Sequence, residues 1–127
     1  MKTTKKTQYA LRAMIVLSKE KERPLSYIAK KEGMPLKYLE KVFSDLETNN
    51  LVRAKRGAKG GYSLERSPRK ITLENVFDAV GEEILVADCV ERGCPRDGSC
   101  EASRAWKRVG DEIKKSLSSI KLSDLIE

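Results

Sequence analysis

The sequence predicts a mainly α fold with a small β-hairpin: a winged helix-turn-helix domain followed by a long dimerisation helix. Three observations carry that expectation. Two amphipathic segments meet at Gly33 and Pro35, a basic Gly-rich stretch separates two short extended segments between Leu51 and Leu64, and an apolar stripe runs from Ala105 to Ile120. At 127 residues the chain suits one compact core plus an extended arm, which excludes a large enzyme.

Over residues 7–18 the run Tyr9, Ala10, Leu11, Ala13, Met14, Ile15, Val16 and Leu17 is too continuous for a half-exposed strand. It reads as a mostly buried helix with Thr7 as its N-cap. Residues 19–24 are charged and end in Pro24, which marks a loop. Leu25, Ile28 and Ala29 begin a short helix that stops at Gly33. Pro35 suits the first position of the next helix, where Leu36, Leu39, Val42, Phe43 and Leu46 recur at spacings of three and four as an inward stripe. Lys37, Tyr38, Lys41 and Asp45 fall on another face, and the two helices with their short turn make a helix-turn-helix pattern.

Residues 51–56 alternate as a strand, Gly57, Ala58, Lys59, Gly60 and Gly61 form a flexible tip, and Tyr62, Ser63 and Leu64 return, which makes a wing after the reading helix. Thr72 caps a helix over residues 73–80 that Gly81 ends. Residues 82–100 lack periodicity, contain Gly93, Pro95 and Gly98, and read as a loop. Beyond Glu101, Ala105, Val109, Ile113, Leu117 and Ile120 trace one stripe on a long helix. So small a chain has little left to cover it, so the stripe implies pairing with a second copy. Trp106 is expected in the core or the subunit contact. The divisions are residues 1–81 for the winged domain, 82–100 for a cysteine-containing loop and 101–127 for the dimerisation helix and tail.

Charge separates these parts. The net charge is +7, but residues 1–70 hold 18 Lys and Arg against 7 Asp and Glu, while residues 71–127 hold 8 against 12. A polyanion therefore belongs on the front half, and double-stranded DNA explains it better than a membrane, since no apolar run approaches a bilayer's thickness. The Lys-rich start lacks the apolar segment of a signal peptide, so a cytoplasmic location is expected. Lys2, Lys5, Lys30, Lys31, Lys55 and Arg56 are suited to phosphates. Lys37, Tyr38 and Lys41 can reach base edges if their helix enters the major groove, and Arg56 or Lys59 at the wing tip can enter the adjacent minor groove. Asp45 is expected to pair with Lys41 one helical turn away, and Glu40 is open between such a pair and a cytosine amino group.

The chain has three cysteines and no histidine, which removes the usual base of Cys-His and Ser-His-Asp catalysis. All three lie within 12 positions as Cys89, Cys94 and Cys100, a C-x4-C-x5-C spacing. Thiolates gathered on such a segment suit an iron–sulfur cluster or zinc, while a metal-free redox thiol is the competing reading. A small thiol enzyme fits poorly without C-x-x-C, a histidine base or a Gly-rich nucleotide loop.

Taken together, four stretches resemble the IscR and NsrR type of bacterial winged-helix transcription regulators over essentially the whole chain. They are Gln8-Tyr9-Ala10-Leu11-Arg12-Ala13-Met14, Tyr38-Leu39-Glu40-Lys41-Val42-Phe43, Arg56-Gly57-Ala58-Lys59-Gly60-Gly61-Tyr62-Ser63-Leu64, and the cysteines followed by Ala105-Trp106. The resemblance implies a homodimer on a pseudo-palindromic promoter site, with Cys89, Cys94 and Cys100 holding an iron–sulfur cluster, [2Fe-2S], whose state alters DNA affinity. Where relatives carry a histidine after the last cysteine or an acidic residue in the first helix, this chain has Ser103 and Gln8, so the fourth ligand is unassigned.

Overall fold

A hydroxyl decides where the first helix begins. Thr4, in extended backbone, accepts a hydrogen bond on its Oγ1 from the Thr7 N–H at 3.3 Å, so α1 spans Lys5–Glu20. Thr7 is therefore not the cap but the third helical residue, buried, with its own hydroxyl turned toward Glu82. The computed structural model describes residues 2–57, 60–84, 86 and 100–126.

After α1 come β1 (Glu22–Arg23), α2 (Leu25–Glu32), α3 (Leu36–Thr48), β2 (Val52–Lys55), β3 (Gly61–Leu64), α4 (Leu73–Ala79) and α5 (Glu101–Ser119), with 3-10 turns at Pro68–Lys70 and Leu122–Leu125. The strands form one antiparallel sheet in the order β1-β3-β2, in register Arg23 to Tyr62 and Ala54 to Tyr62. A mostly helical chain with this small sheet behind α3 is a winged helix-turn-helix fold. β1 lies inside the segment expected to be a loop. It exists through pairing with β3, and Gly61 makes that possible: a Cβ there would sit 2.6 Å from the Arg23 carbonyl carbon.

The core is built by helical stripes. Ala10, Ala13, Met14 and Leu17 of α1 and Leu39, Val42, Phe43 and Leu46 of α3 repeat at three and four and are buried against Ile28, Leu51, Val52, Ile71, Val76 and Leu122. Each large aliphatic side chain so buried contributes roughly 1.5–3 kcal/mol before entropy is counted. Leu36 departs from the expected stripe. It is 41% exposed, because it sits at the first residue of α3 where the helix has not yet met α1. Pro35 is the N-cap of α3 and not its first residue, its ψ of 126° being extended.

Gly33, at φ +66°, ends α2 by donating its N–H to the Ala29 carbonyl, which places the turn where the helix-turn-helix pattern needs it. Thr72 and Asn75 form a reciprocal capping box at α4. The start of α5 carries the buried Ser103, whereas Trp106 and Val109 are each 43% exposed. Trp106 is thus not in the core of this chain. Ile113, Leu117 and Ile120 are half-buried, and the chain rejoins the core beyond them: Leu122 donates its N–H to Ile71 at 2.9 Å, and Leu73 donates to Ile120 at 2.9 Å.

Candidate nucleic-acid interface

α3 buries one stripe and turns the other to solvent. Leu36, Lys37, Glu40, Lys41 and Ser44, all exposed, fall at helical spacing on the outer face, with Tyr38 at its edge. Lys37 and Lys41 form no ion pair among the described residues, so their ammonium groups are available to an outside acceptor. They lie four residues apart, about 6 Å along the helix, which is close to two base-pair steps.

Asp45 does not pair with Lys41. Its carboxylate is ion-paired with Lys6 of α1, a tertiary contact that spacing within α3 could not reveal. The pair leaves Lys41 without an ion-pair partner among the described residues and fastens the C-terminal half of α3 to the first turn of α1. A second fastening lies near the N-terminus of α3. The rings of Tyr9 and Tyr38 meet edge to face at 5.6 Å and 83°, and the Arg12 guanidinium stands 5.9 Å from the Tyr9 ring centre. Arg12 in turn donates to the Glu32 carboxylate at 3.1 Å and to the Glu32 backbone carbonyl, tying α1 to the end of α2. Sequence reasoning missed Tyr9 and Arg12 as supports because Tyr9 reads as an ordinary apolar member of its helix.

Lys31 also departs from its expected role. Its ammonium is bound to Glu20 at 2.6 Å, and the Tyr27 hydroxyl donates to the other oxygen of the same carboxylate at 2.6 Å. The hydrogen bonds from Lys31 and Tyr27 hold Glu20 down at about 2, and the same carboxylate raises Lys31 above the usual lysine range. Lys31 therefore serves the packing of α1 on α2 and is not a free phosphate ligand, whereas Lys2, Lys5 and Lys30 are exposed and unpaired among the described residues.

The wing is attached to α3 through Phe43 and Tyr62, whose rings meet at 4.9 Å and 74°. Burial pushes the Tyr62 hydroxyl up, and the carboxylates of Glu47 and Glu40 add to it. Lys55 and Arg56 are exposed on its outgoing arm, and the turn closes with Gly60 donating its N–H to Gly57 at 2.9 Å. Lys59 lies outside the described residues, as do Cys89 and Cys94. Cys100 is the N-cap of α5 and half-buried, three residues before Ser103 on the same first turn. The unsatisfied N–H groups of such a turn favour an anionic ligand.

Residues 3–127 match the family Rrf2, described as an iron-dependent transcriptional regulator. The regulator IscR of Photorhabdus laumondii is 37% identical over 130 residues, covering 99% of this chain and 79% of that protein. Among solved structures, CymR of B. subtilis, a global cysteine regulator, superposes with a TM-score of 0.86 at 31% identity, covering 99% of this chain and 96% of the other. IscR of T. potens gives 0.81 at 31% identity, with 99% and 86% covered. These relatives are regulators and not enzymes. With its helix-turn-helix, wing and basic front, this chain belongs to the Rrf2 family of DNA-binding transcription regulators.

Proposed function

We propose that the chain acts in the cytoplasm as a homodimer on promoter DNA, and that Cys89, Cys94 and Cys100 hold an iron–sulfur cluster, [2Fe-2S], which sets its affinity. The donor set carries the reading: three thiols within 12 positions, with Cys100 at the mouth of a helix whose first N–H groups can donate to an anionic centre. The likeness to IscR proteins supports it. Such a cluster would supply redox- and oxidant-sensitive ligation, with Ser103, buried three residues after Cys100, as one of the candidate fourth donors.

On DNA, Lys37, Tyr38 and Lys41 meet base edges in the major groove, and Arg56 with Lys59 follow the adjacent minor groove. The exposed Trp106 and Val109 of α5 support pairing of two copies, since an uncovered apolar stripe is costly in water. Two-fold pairing sets half-sites about 10 base pairs apart, or a multiple. Among the described residues no helix is long and apolar enough to cross a membrane.

The same three thiols permit a second reading, in which they respond to oxidants without metal. Anaerobic purification with iron and acid-labile sulfide assays and an absorption spectrum separates the two. Stoichiometric iron and sulfide with visible bands are expected. Colourless, iron-free protein that still loses operator affinity on peroxide treatment would leave only the thiol reading.

A further inference from the structure

Glu82 stands where the chain leaves the winged domain for the cysteine segment, one residue after Gly81, whose φ of +75° turns the chain out of α4. Its Oε1 accepts a hydrogen bond from the Thr4 N–H at 2.7 Å and another from the Thr7 hydroxyl at 3.1 Å. Thr4 is the N-cap of α1 and Thr7 its third residue. In an ordinary capping box the third helical residue itself supplies the carboxylate or amide that receives the N-cap N–H. Here Thr7 holds that position and its side chain is too short for the task, so Glu82 supplies the acceptor from 78 residues away.

The helical turns that Glu82 holds also hold the reading helix. Lys6 is paired with Asp45, and Tyr9 packs on Tyr38, both partners lying on α3. Gln8, between them, is pinned through its Nε2 to the Thr3 carbonyl at 3.2 Å and the Thr3 hydroxyl at 3.1 Å. The chain's return to the domain is anchored differently. Leu122 is fully buried in the core and donates its N–H to the Ile71 carbonyl, and the Ile120 carbonyl accepts from the Leu73 N–H, so the far end of α5 is fixed. Of the two anchorages around the segment from 83 to 119, the one at Glu82 reaches α1 through two hydrogen bonds at a partly exposed carboxylate, the Glu82 N–H itself donating to Phe77 at 2.8 Å, and it buries no apolar side chain comparable to Leu122.

We propose that Glu82 is a positioning residue that transmits the state of the cysteine segment to α3. Its hold on Thr4 and Thr7 differs between the ligand-bound and ligand-free segment, and through Lys6–Asp45 and Tyr9–Tyr38 that difference alters how Lys37, Tyr38 and Lys41 are presented. This rests on the sensing role proposed above. A ligand shifts DNA affinity only by favouring one of two arrangements, and a contact between the sensing segment and the helix that carries α3 is a place where two arrangements can differ.

The test compares iron-reconstituted protein with the cysteine-free variant Cys89→Ser/Cys94→Ser/Cys100→Ser, in backgrounds carrying Glu82, Glu82→Ala or Glu82→Gln. Operator affinity and amide exchange of residues 4–7 are both read. With Glu82 the two forms differ in affinity by about 5- to 150-fold, the usual span of an allosteric coupling. E82A reduces the ratio to about twofold or less and makes the first-turn amides exchange equally fast in both forms. E82Q, which keeps an Oε1 acceptor for both donors, restores the ratio.

An unchanged ratio in folded E82A protein, or a ratio lost in E82Q as fully as in E82A, would overturn the assignment. If E82A does not fold, Thr7→Val removes one of the two hydrogen bonds within a buried site of the same shape and is expected to shrink the ratio. A ratio of one with Glu82 in place refutes the sensing role instead. Amide exchange then still judges Glu82, since first-turn protection that ignores both E82A and iron loading would rule it out.

Discussion

Replacing Lys37 and Lys41 together by alanine removes both cations from the outer face of α3 without touching its packing, because both side chains are exposed and neither is ion-paired among the described residues. If each contacts a base edge, the cognate operator loses about 1–3 kcal/mol per contact, or roughly 2–6 kcal/mol for the pair, while random duplex loses little. If each instead neutralises a phosphate, both duplexes weaken alike and the slope of log K against log salt flattens by about 0.9 per lysine. The spacing of the two along α3, about 6 Å, allows both to read within one major groove face. Titrations on operator and scrambled duplex between low and moderate salt distinguish the two cases. Base reading predicts a collapse of the operator-to-random ratio. A ratio that stays at its original value while both slopes flatten would refute the placement of this face in the groove.

Two further predictions concern the frame that presents α3. Leu39→Ala, at a fully buried site, is expected to cost about 2–5 kcal/mol in chemical denaturation, whereas the half-exposed Leu36→Ala costs less than about 1 kcal/mol and is felt in operator affinity, so equal losses of stability would contradict the exposure of Leu36. Glu20 is held at about 2 in the folded chain against an ordinary 4.5, so it binds fewer protons than in the unfolded chain between those values. Its stabilisation is present above pH 4.5 and is lost as pH falls toward 2. Melting temperatures of the unaltered protein and Glu20→Gln are expected to converge over that interval, and a constant gap down to pH 2 would refute the Lys31–Tyr27–Glu20 clamp. Lys31 adds the opposite limb, its contribution being present below pH 10.5 and fading as pH rises through its raised value.

The parts of the molecule legible in the sequence are those set by neighbours in the chain. Leu39, Val42, Phe43 and Leu46 announce α3 because a 3.6-residue period needs no knowledge of what lies opposite, and Gly33 announces the turn because its φ of +66° is expensive for other residues. Thr4 and Thr7 are equally eligible caps by type; Thr4 takes the role by accepting the Thr7 N–H on its hydroxyl, and Glu82, remote in sequence, accepts the Thr4 N–H. β1 has two residues and no period to read, and it is a strand only because β3 lies beside it. Asp45 chose Lys6 over Lys41 for the same reason: a helix offers a neighbour one turn away, but α1 offered a nearer one.

Thr4, Lys6, Tyr9 and Arg12 all belong to the first half of α1 or its cap, and each reaches a different part of the molecule: the exit toward the cysteine segment, the C-terminal half of α3, its N-terminus, and the end of α2. The outward face of α3 is therefore held in place by contacts from α1 more than by its own sequence. A perturbation at the first turn of α1 can move Lys37, Tyr38 and Lys41 together while leaving the buried stripe of α3 intact, and this is the mechanical requirement for any regulator whose sensing groups lie far along the chain from the residues that touch DNA.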